Sequence, residues 1–220
     1  MCKKISIVGL ISFITMIYSS ELIADYYVAT NGSDAASGTS WATALRTISN
    51  AVAKAVNGDT VWISNGAFVV TTTIVINKGI TVRSLNGAEA TTVARNGSAG
   101  NFRVFVVSNA SAVLQGVTVT NGYLASSGQG AGIFLYSGTI RHCHITKNKT
   151  WGNANANSFG SGIYMTGGLV EDCVISSNWT GAASGYGGLG YGGGIYMTAG
   201  LVRRCMIVSN SVRSSTSWHN

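Results

Sequence analysis

Acidic side chains that could act as a general acid, a base or a metal ligand are scarce in this chain. Beyond residue 24 they are Asp25, Asp34, Asp59, Glu89, Glu171 and Asp172. Glycoside hydrolysis needs two carboxyl groups that flank one bond, and a calcium-dependent lyase needs clustered acidic ligands beside a basic residue. Glu171 and Asp172 are adjacent, but basic residues occupy the matching positions of similar segments. We therefore expect a structural charge ladder there and predict no catalytic residue.

A metal site is the second chemistry to consider. His142 and His144 are two residues apart, so on a strand they would share a face, and Asp172 would stack beside His142. Two histidines and one carboxylate are a ligand set for iron or zinc. Basic residues surround the set, however, and it occurs only once. We expect ordinary surface residues and predict no metal or other cofactor.

Three cysteines, Cys143, Cys173 and Cys205, follow the predicted leader. The short Cys-x-x-Cys spacing of metal sites is absent. We expect these residues to be small buried apolar fillers. A disulfide between neighbouring turns remains open, because stacked strands bring Cα atoms within disulfide range.

Aromatic residues in three polar segments are the best candidates for binding. The segments span residues 123–131, 149–161 and 179–193, and we interpret them as loops that leave one side of the molecule. Their aromatic residues are Tyr123, Trp151, Phe159, Trp179, Tyr186 and Tyr191. Exposed rings on a polar surface suit the faces of sugars, so we hypothesise that Trp151 and Trp179 form a glycan platform. Alternatively, the rings fold back to cover the stack.

An internal repeat must position all of these residues. The segments GIFLYSGTIRHCHITKN (132–148), GIYMTGGLVEDCVISSN (162–178) and GIYMTAGLVRRCMIVSN (194–210) align without gaps, at offsets of 30 and 32 residues. A fainter copy at an offset of 27 places Gly116 at the cysteine position and Asn121 at the asparagine position. Each unit is too short to bury its own apolar face, so the units must stack.

The repeat predicts an all-β, right-handed parallel β-helix of five or six turns over residues 60–210. The apolar positions are brief and rich in β-formers, and the chain has 29 glycines but no proline, which could not donate to a ladder. We expect Ile133, Ile163 and Ile195 to form an inward column, with Phe134, Tyr164 and Tyr196 on the other face. Two charged columns should alternate in sign; they are Arg141, Glu171, Arg203 and His142, Asp172, Arg204. A ladder of left-handed, amide-bonded asparagines should form a bend; its members are Asn121, Asn148, Asn178 and Asn210.

The ends of the chain differ from the repeats. Residues 1–24 have a basic start and a short apolar run, which are typical of a secretory signal peptide. Residues 25–59 are predicted to be an N-terminal cap with one amphipathic helix over 43–56, which would act as a lid on the first turn. Residues 211–220 would be a truncated loop toward a missing turn, and the open last turn predicts edge-to-edge self-association.

The segment DYYVATNGSDAASGTSWATALRTISNAVAKAVNGDTVWISNGAF (25–68) and the GGGIY…C.I..N repeats resemble secreted bacterial right-handed parallel β-helix repeat proteins of the pectate-lyase-like superfamily. The repeats also resemble those of polymorphic outer-membrane proteins. This resemblance implies the fold, and it covers lyases, hydrolases and adhesins alike.

These observations predict a secreted or cell-surface bacterial protein that binds carbohydrate or a surface without catalysis. It could be a fragment of a longer adhesin-like protein. The alternative is a polysaccharide lyase or glycoside hydrolase whose active site is incomplete here. The net charge of +7 comes from scattered residues without a basic run, so we expect a polysaccharide or surface glycan as partner and no nucleic acid. We expect no membrane span once the leader is removed.

Overall fold

The computed structural model describes residues 23–126, 128–152, 156–182 and 188–213. These residues form strands and very little helix. In chain order the strands are β1 (Asp25–Val28), β2 (Thr60–Ile63), β3 (Gly66–Val70), β4 (Ile74–Ile76), β5 (Thr81–Ser84), β6 (Thr91–Arg95), β7 (Phe105–Val107), β8 (Val113–Gln115), β9 (Thr118–Thr120), β10 (Tyr123–Ala125), β11 (Ile133–Leu135), β12 (Thr139–Arg141), β13 (His144–Thr146), β14 (Lys149–Gly152), β15 (Ser158–Phe159), β16 (Ile163–Met165), β17 (Leu169–Glu171), β18 (Val174–Ser176), β19 (Trp179–Ala182), β20 (Gly190–Tyr191), β21 (Ile195–Met197), β22 (Leu201–Arg203), β23 (Met206–Val208) and β24 (Ser211–Arg213). A short 3-10 turn (Trp41–Thr43) and one helix, α1 (Ile48–Lys54), precede β2.

Parallel pairing between successive coils confirms the predicted parallel β-solenoid. The strand orders are β1-β2-β5-β8-β12-β17-β22, β3-β6-β9-β13-β18-β23 and β4-β7-β11-β16-β21, which form the first, second and third sheets. From β8 onward, about four coils carry a fourth sheet, β10-β14-β19-β24, and the pair β15-β20 lies beside it. Two coils without the fourth sheet, β2–β4 and β5–β7, precede them.

The interior is a stack of aliphatic columns. Ile133, Ile163 and Ile195 pair in register, as predicted, and the first two are fully buried. Because side chains alternate along a strand, the next residues, Phe134, Tyr164 and Tyr196, form a second column on the other face, as predicted. Full burial of one such aliphatic side chain contributes about 1.5–3 kcal/mol. The coils are therefore held together by the columns as well as by the backbone ladder.

The alignment of the faint upstream copy is wrong by one residue. Thr118 pairs with His144, an offset of 26 rather than 27. Gly116 therefore shares the position of His142, where φ is 68° and 53° respectively. Asp172 and Arg204, with φ of 52° each, occupy the same left-handed bend in later coils. Glycine fits this bend because it lacks the Cβ that strains the other residues there.

An asparagine ladder forms at the second bend, as predicted, but its members are not the left-handed residues. The backbone N–H and side-chain Nδ2 of Asn148 both donate to Oδ1 of Asn178, at 3.0 Å each. Asn178 makes the same two bonds to Asn210. The positive φ belongs to the preceding residues Lys147, Ser177 and Ser209, at 55°, 56° and 55°. Each asparagine can thus extend its amide along the stack while its neighbour turns the chain.

Asn121 is not a member of this ladder. It has a φ of 61° and aligns with Lys147, because Tyr123 pairs with Lys149. Gly122 takes the ladder position, and its N–H donates to Oδ1 of Asn148 at 2.9 Å. The ladder therefore ends at Gly122.

The N-terminal helix is shorter than the predicted range of residues 43–56, and it does not cover the first turn alone. Thr47 is extended and caps α1 by accepting from the N–H of Asn50 at 3.3 Å, so the helix cannot begin earlier. Leu45 forms a parallel bridge with Val28, so extended chain and β1 cover the first edge of the sheet. The helix packs its buried face against β1, β2 and β4.

The last described coil leaves apolar side chains in solvent. Leu201, Met206 and Ile207 are 52%, 59% and 50% exposed. Edge-to-edge association remains a prediction.

Replacement of Asn178 by alanine tests the asparagine ladder. Four hydrogen bonds join its side chain to Asn148, Ile145 and Asn210, and the residue is fully buried. We expect Asn178→Ala to lower the free energy of unfolding by about 2–4 kcal/mol, because buried partners lose their bonds. Denaturant unfolding measures this loss. The exposed Asn101→Ala should change it by less than about 0.5 kcal/mol; equal effects would contradict the ladder's role.

Candidate functional site

The three predicted loops contain strands, and together they build an arm that projects from the solenoid. The outgoing layer is the fourth sheet, and the returning layer is β15-β20. Loops were expected because glycine, serine and asparagine dominate these segments. The backbone groups nevertheless pair from coil to coil, and this pairing is independent of side-chain type.

Hydroxyl groups join the two layers. The Oγ atom of Ser161 lies 2.8 Å from Oγ1 of Thr150 and 2.5 Å from Oγ1 of Thr180. Thr150 and Thr180 therefore point toward the returning chain. Since side chains alternate along a strand, Lys149 and Trp151 must point to the opposite, outer side. Ser158 points back toward β14, since its Oγ lies 3.1 Å from a Cβ built on Gly152, and so Phe159 faces away from β14.

The outer face of the outgoing layer carries stacked tryptophans around a lysine. The rings of Trp151 and Trp179 are 4.9 Å apart with an interplanar angle of 18°. Nζ of Lys149 lies 4.4 Å from the centre of the Trp179 ring and 5.3 Å from that of Trp151. Tyr123 extends the row, with its ring centre 5.5 Å from the same Nζ. Cations over aromatic faces attract the π electrons and hold the rings in place.

Gly181 creates the space for the tryptophan pair. Trp151 lies opposite Gly181 in the ladder, and Trp179 lies opposite Lys149. The two rings therefore meet diagonally rather than in register. A Cβ on Gly181 would lie 2.8 Å from a ring carbon of Trp151 and 3.0 Å from one of Trp179. No side chain fits at this position without separating the rings.

Arg95 anchors the other end of the row. Its guanidinium donates to four backbone carbonyls, those of Asn121, Asn96, Gly97 and Gly100, and lies 5.6 Å from the Tyr123 ring. The side chain thus fixes the loop beside β10.

An open cleft of about 420 Å³ adjoins the tryptophans. It is lined by Lys147, Asn148, Lys149, Ser177, Trp179 and Arg213. Three of these residues are cationic and none is acidic. We call the surface formed by this cleft, Tyr123 and Trp151 the Trp face.

Every described carboxylate has partners elsewhere. Asp25 accepts from Trp62, Asp34 from the N–H groups of Arg46 and Thr47, Asp59 from those of Ala24 and Val56, and Glu89 pairs with His144. Glu171 and Asp172 pair with Arg203 and Arg204. The positive charge of the Trp face is therefore not neutralised by any residue in the described ranges.

The adjacent acidic pair forms the predicted charge ladder in part. Glu171 lies in register with Arg141 and Arg203, and of these two only Arg203 binds it, with 2.9 and 2.7 Å bonds. Arg204, one residue farther along, adds a third bond to Glu171 at 2.8 Å. Arg141 donates instead to Gln115. The hydrogen bonds from Arg203 lower the pKa of Glu171, and those from Arg204 lower the pKa of Asp172. Both carboxylates are thus held ionised, whereas a general acid needs a raised pKa.

The histidines do not share a strand face. His142 lies at the left-handed bend, and β13 begins only at His144, whose Nδ1 lies 3.2 Å from Glu89. Asp172 is engaged by Arg204 through both carboxylate oxygens. Among the residues that the structure describes, no group of three or more His, Cys, Asp or Glu side chains could hold a metal ion.

The cysteines stack in register as free thiols. The N–H of Cys143 donates to Sγ of Cys173 at 3.4 Å, and both residues are buried, whereas Cys205 is half-buried. Each thiol donates to a backbone carbonyl of the preceding coil. The contact with Cys143, together with burial, raises the pKa of the Cys173 thiol.

The predicted binding residues therefore divide between two surfaces. Tyr123, Trp151 and Trp179 lie on the Trp face, while Phe159 and Tyr191 stack on the returning layer. Tyr186 lies outside the described residues. Sequence reasoning missed Lys149 and Gly181. The signal for Lys149 was present, since it precedes Trp151 by two residues and matches Trp179 in the repeat.

No family model, curated protein or solved structure matches this chain. Within the described ranges, no helix is both long enough and apolar enough to cross a membrane.

The ion pairs of Glu171 and Asp172 with Arg203 and Arg204 should make the free energy of unfolding depend on pH. Because the folded pKa values of Glu171 and Asp172 are lowered, their contribution is full above the ordinary carboxylate pKa of about 4 and is lost as pH falls through the lowered values. Thermal unfolding of the wild type and of the Glu171→Gln/Asp172→Asn variant should differ at neutral pH, and the difference should vanish as the pH falls through the lowered pKa values. A difference that persists in acid would argue against the ion pairs.

Gly181→Ala should separate the tryptophan pair. The added Cβ would overlap both rings, so we expect loss of the exciton signal that stacked indoles give in circular dichroism. Gly97→Ala is the matched control, because nothing lies within 4 Å of its Cβ. An unchanged signal in Gly181→Ala would show that the rings are not stacked in solution.

Proposed function

We propose that this chain is a secreted, non-catalytic binding protein that attaches to anionic carbohydrate on a cell surface through the Trp face. One observation carries the proposal: Lys147, Lys149 and Arg213 surround an open cleft beside stacked indoles, and no described carboxylate neutralises them. These cations are therefore available to an acidic ligand. An extracytoplasmic location is part of the proposal, and it rests on the signal peptide predicted for residues 1–24.

The geometry suits a sugar that carries a carboxylate or sulfate. Indole rings have large apolar surfaces that can pack against the C–H face of a pyranose. Because the Trp151 and Trp179 centres are 4.9 Å apart, the stacked rings are offset and leave part of each face uncovered. Lys147, Lys149 and Arg213 can bind the acidic group at the edge of the same sugar.

The described residues favour binding over catalysis. Glu171 and Asp172, the one adjacent acidic pair, are saturated by Arg203 and Arg204. The remaining described carboxylates cap turns, bind Trp62 or pair with His144. A lyase or hydrolase would need carboxylates released from such roles, and no described residue supports that alternative.

Affinity for an immobilised polyuronate tests the proposal. We expect wild-type protein to be retained and to elute as salt rises, since exposed charges are screened. Trp179→Ala and Lys149→Gln should each weaken binding by about tenfold, or about 1.4 kcal/mol. Each removes one contact of the proposed site.

Trp41→Ala is the matched control, because Trp41 is a partly exposed tryptophan that stacks edge-on with Tyr27 at the other end of the molecule. It should leave retention unchanged. Failure of the wild type to bind any acidic polysaccharide, or equal loss in Trp41→Ala, would overturn the proposal.

A further inference from the structure

The opposite side of the arm carries a second, different group of rings. Phe159 and Tyr191 stack on the returning layer, and Tyr164 and Tyr196 stack on the outer face of the third sheet. We call these four residues the aromatic corner. It faces away from the Trp face, since Phe159 points away from β14. The proposed function does not use it.

The rings of the aromatic corner form two rows that run along the solenoid and meet at an angle, and we call the surface between the rows the trough. Ring centres within the two rows are 5.1 and 5.5 Å apart, with an interplanar angle of 9° in each. Across the rows, Phe159 meets Tyr196 at 4.8 Å and 60°, and Tyr191 meets Tyr196 at 6.3 Å and 65°. The rows therefore form two walls. Parallel rings at these separations are offset, so part of each face is uncovered.

Solvent reaches the trough. Tyr191 is 37% exposed, and the neighbouring Tyr136, which stacks on Phe134 at one end, is 50% exposed. Within the described part of the chain, no protein group is hydrogen-bonded to the hydroxyls of Tyr164, Tyr191 and Tyr196, and none of these hydroxyls is a buried atom without a partner. Rings that merely covered the sheet would be buried, with their hydroxyls satisfied.

Charge separates this trough from the Trp face. Arg103 lies beside one end of the trough, where its guanidinium is 5.1 Å from the centre of the neighbouring Phe134 ring and donates to the carbonyl of Gln129. The described carboxylates make their contacts elsewhere, as shown above. The four rings of the trough therefore offer uncovered faces and hydroxyl groups. They carry no charge that would bind an acidic or a basic ligand.

We propose that the aromatic corner is a second binding site, which takes an uncharged polysaccharide. Pyranose C–H faces match the uncovered rings, and sugar hydroxyls match the tyrosine hydroxyls. The arm then binds an uncharged glycan on one side and an acidic glycan on the other, so one molecule can bridge the two polymers. The site itself stands whether or not the Trp face binds acidic glycan.

Affinity electrophoresis of the full chain in gels that contain hydroxyethyl cellulose, β-1,3-glucan or polyuronate tests this site. We expect retardation by an uncharged glucan that is insensitive to salt. Tyr191→Ala should reduce it by at least about fivefold, or about 1 kcal/mol, while leaving polyuronate binding intact. Trp179→Ala should show the reverse pattern. Tyr191→Phe retains the ring and should keep most of the affinity, and Tyr27→Ala is the control at the other end.

Three results would overturn the second site. They are no retardation by either uncharged glucan, equal loss in Tyr191→Ala and Trp179→Ala, and tighter binding of a proline-rich peptide that displaces the glucan. The first would leave polyuronate binding, and with it the proposed function, untouched. Loss of polyuronate binding alone would leave the second site standing. Co-precipitation of glucan with polyuronate only in the presence of protein would demonstrate bridging.

Discussion

The parallel backbone ladder between coils is the interaction on which the rest of this structure depends. It places each residue directly beside its equivalent in the next coil, so a side chain is stabilised by another of similar kind. Isoleucine stacks on isoleucine, cysteine on cysteine and asparagine on asparagine. The asparagine ladder shows the rule most clearly, since Asn178 and Asn210 each accept two hydrogen bonds from the asparagine of the preceding coil. The rows of aromatic rings arise in the same way.

Much of the fold could be predicted because the repeat is visible in the sequence. Matching apolar positions 30 and 32 residues apart leave a parallel stack as the simplest way to bury them. The predictions were wrong where the type of side chain did not determine the position of a residue in the coil or its secondary structure. Gly116 and Asn121 were assigned one position late, because a glycine and an asparagine both suit left-handed bends. Strands in the arm were missed because backbone pairing, rather than composition, forms them.

The sequence predicted that Trp151 and Trp179 lie together, but it did not predict the directions of the other rings. Sequence placed Trp151 and Phe159 in one segment, although they face opposite sides of the arm. The direction of Trp151 depends on Thr150, whose hydroxyl meets that of Ser161 between the layers, and the direction of Phe159 depends on Ser158, which points toward Gly152. Lys149 gains its role only through the diagonal meeting of Trp151 and Trp179 over Gly181. Such contacts between coils cannot be derived from one repeat considered alone.

The equivalence of the coils has an evolutionary consequence. A duplicated repeat would enter the stack without disturbing its neighbours, because the new asparagine, cysteine and isoleucine would meet the same partners as before. Each duplication would also lengthen the ring rows on both sides of the arm. If the rows bind glycan as proposed, valency would grow by duplication of whole repeats. A single later substitution, such as glycine for a residue opposite a tryptophan, would decide whether the added rings stack.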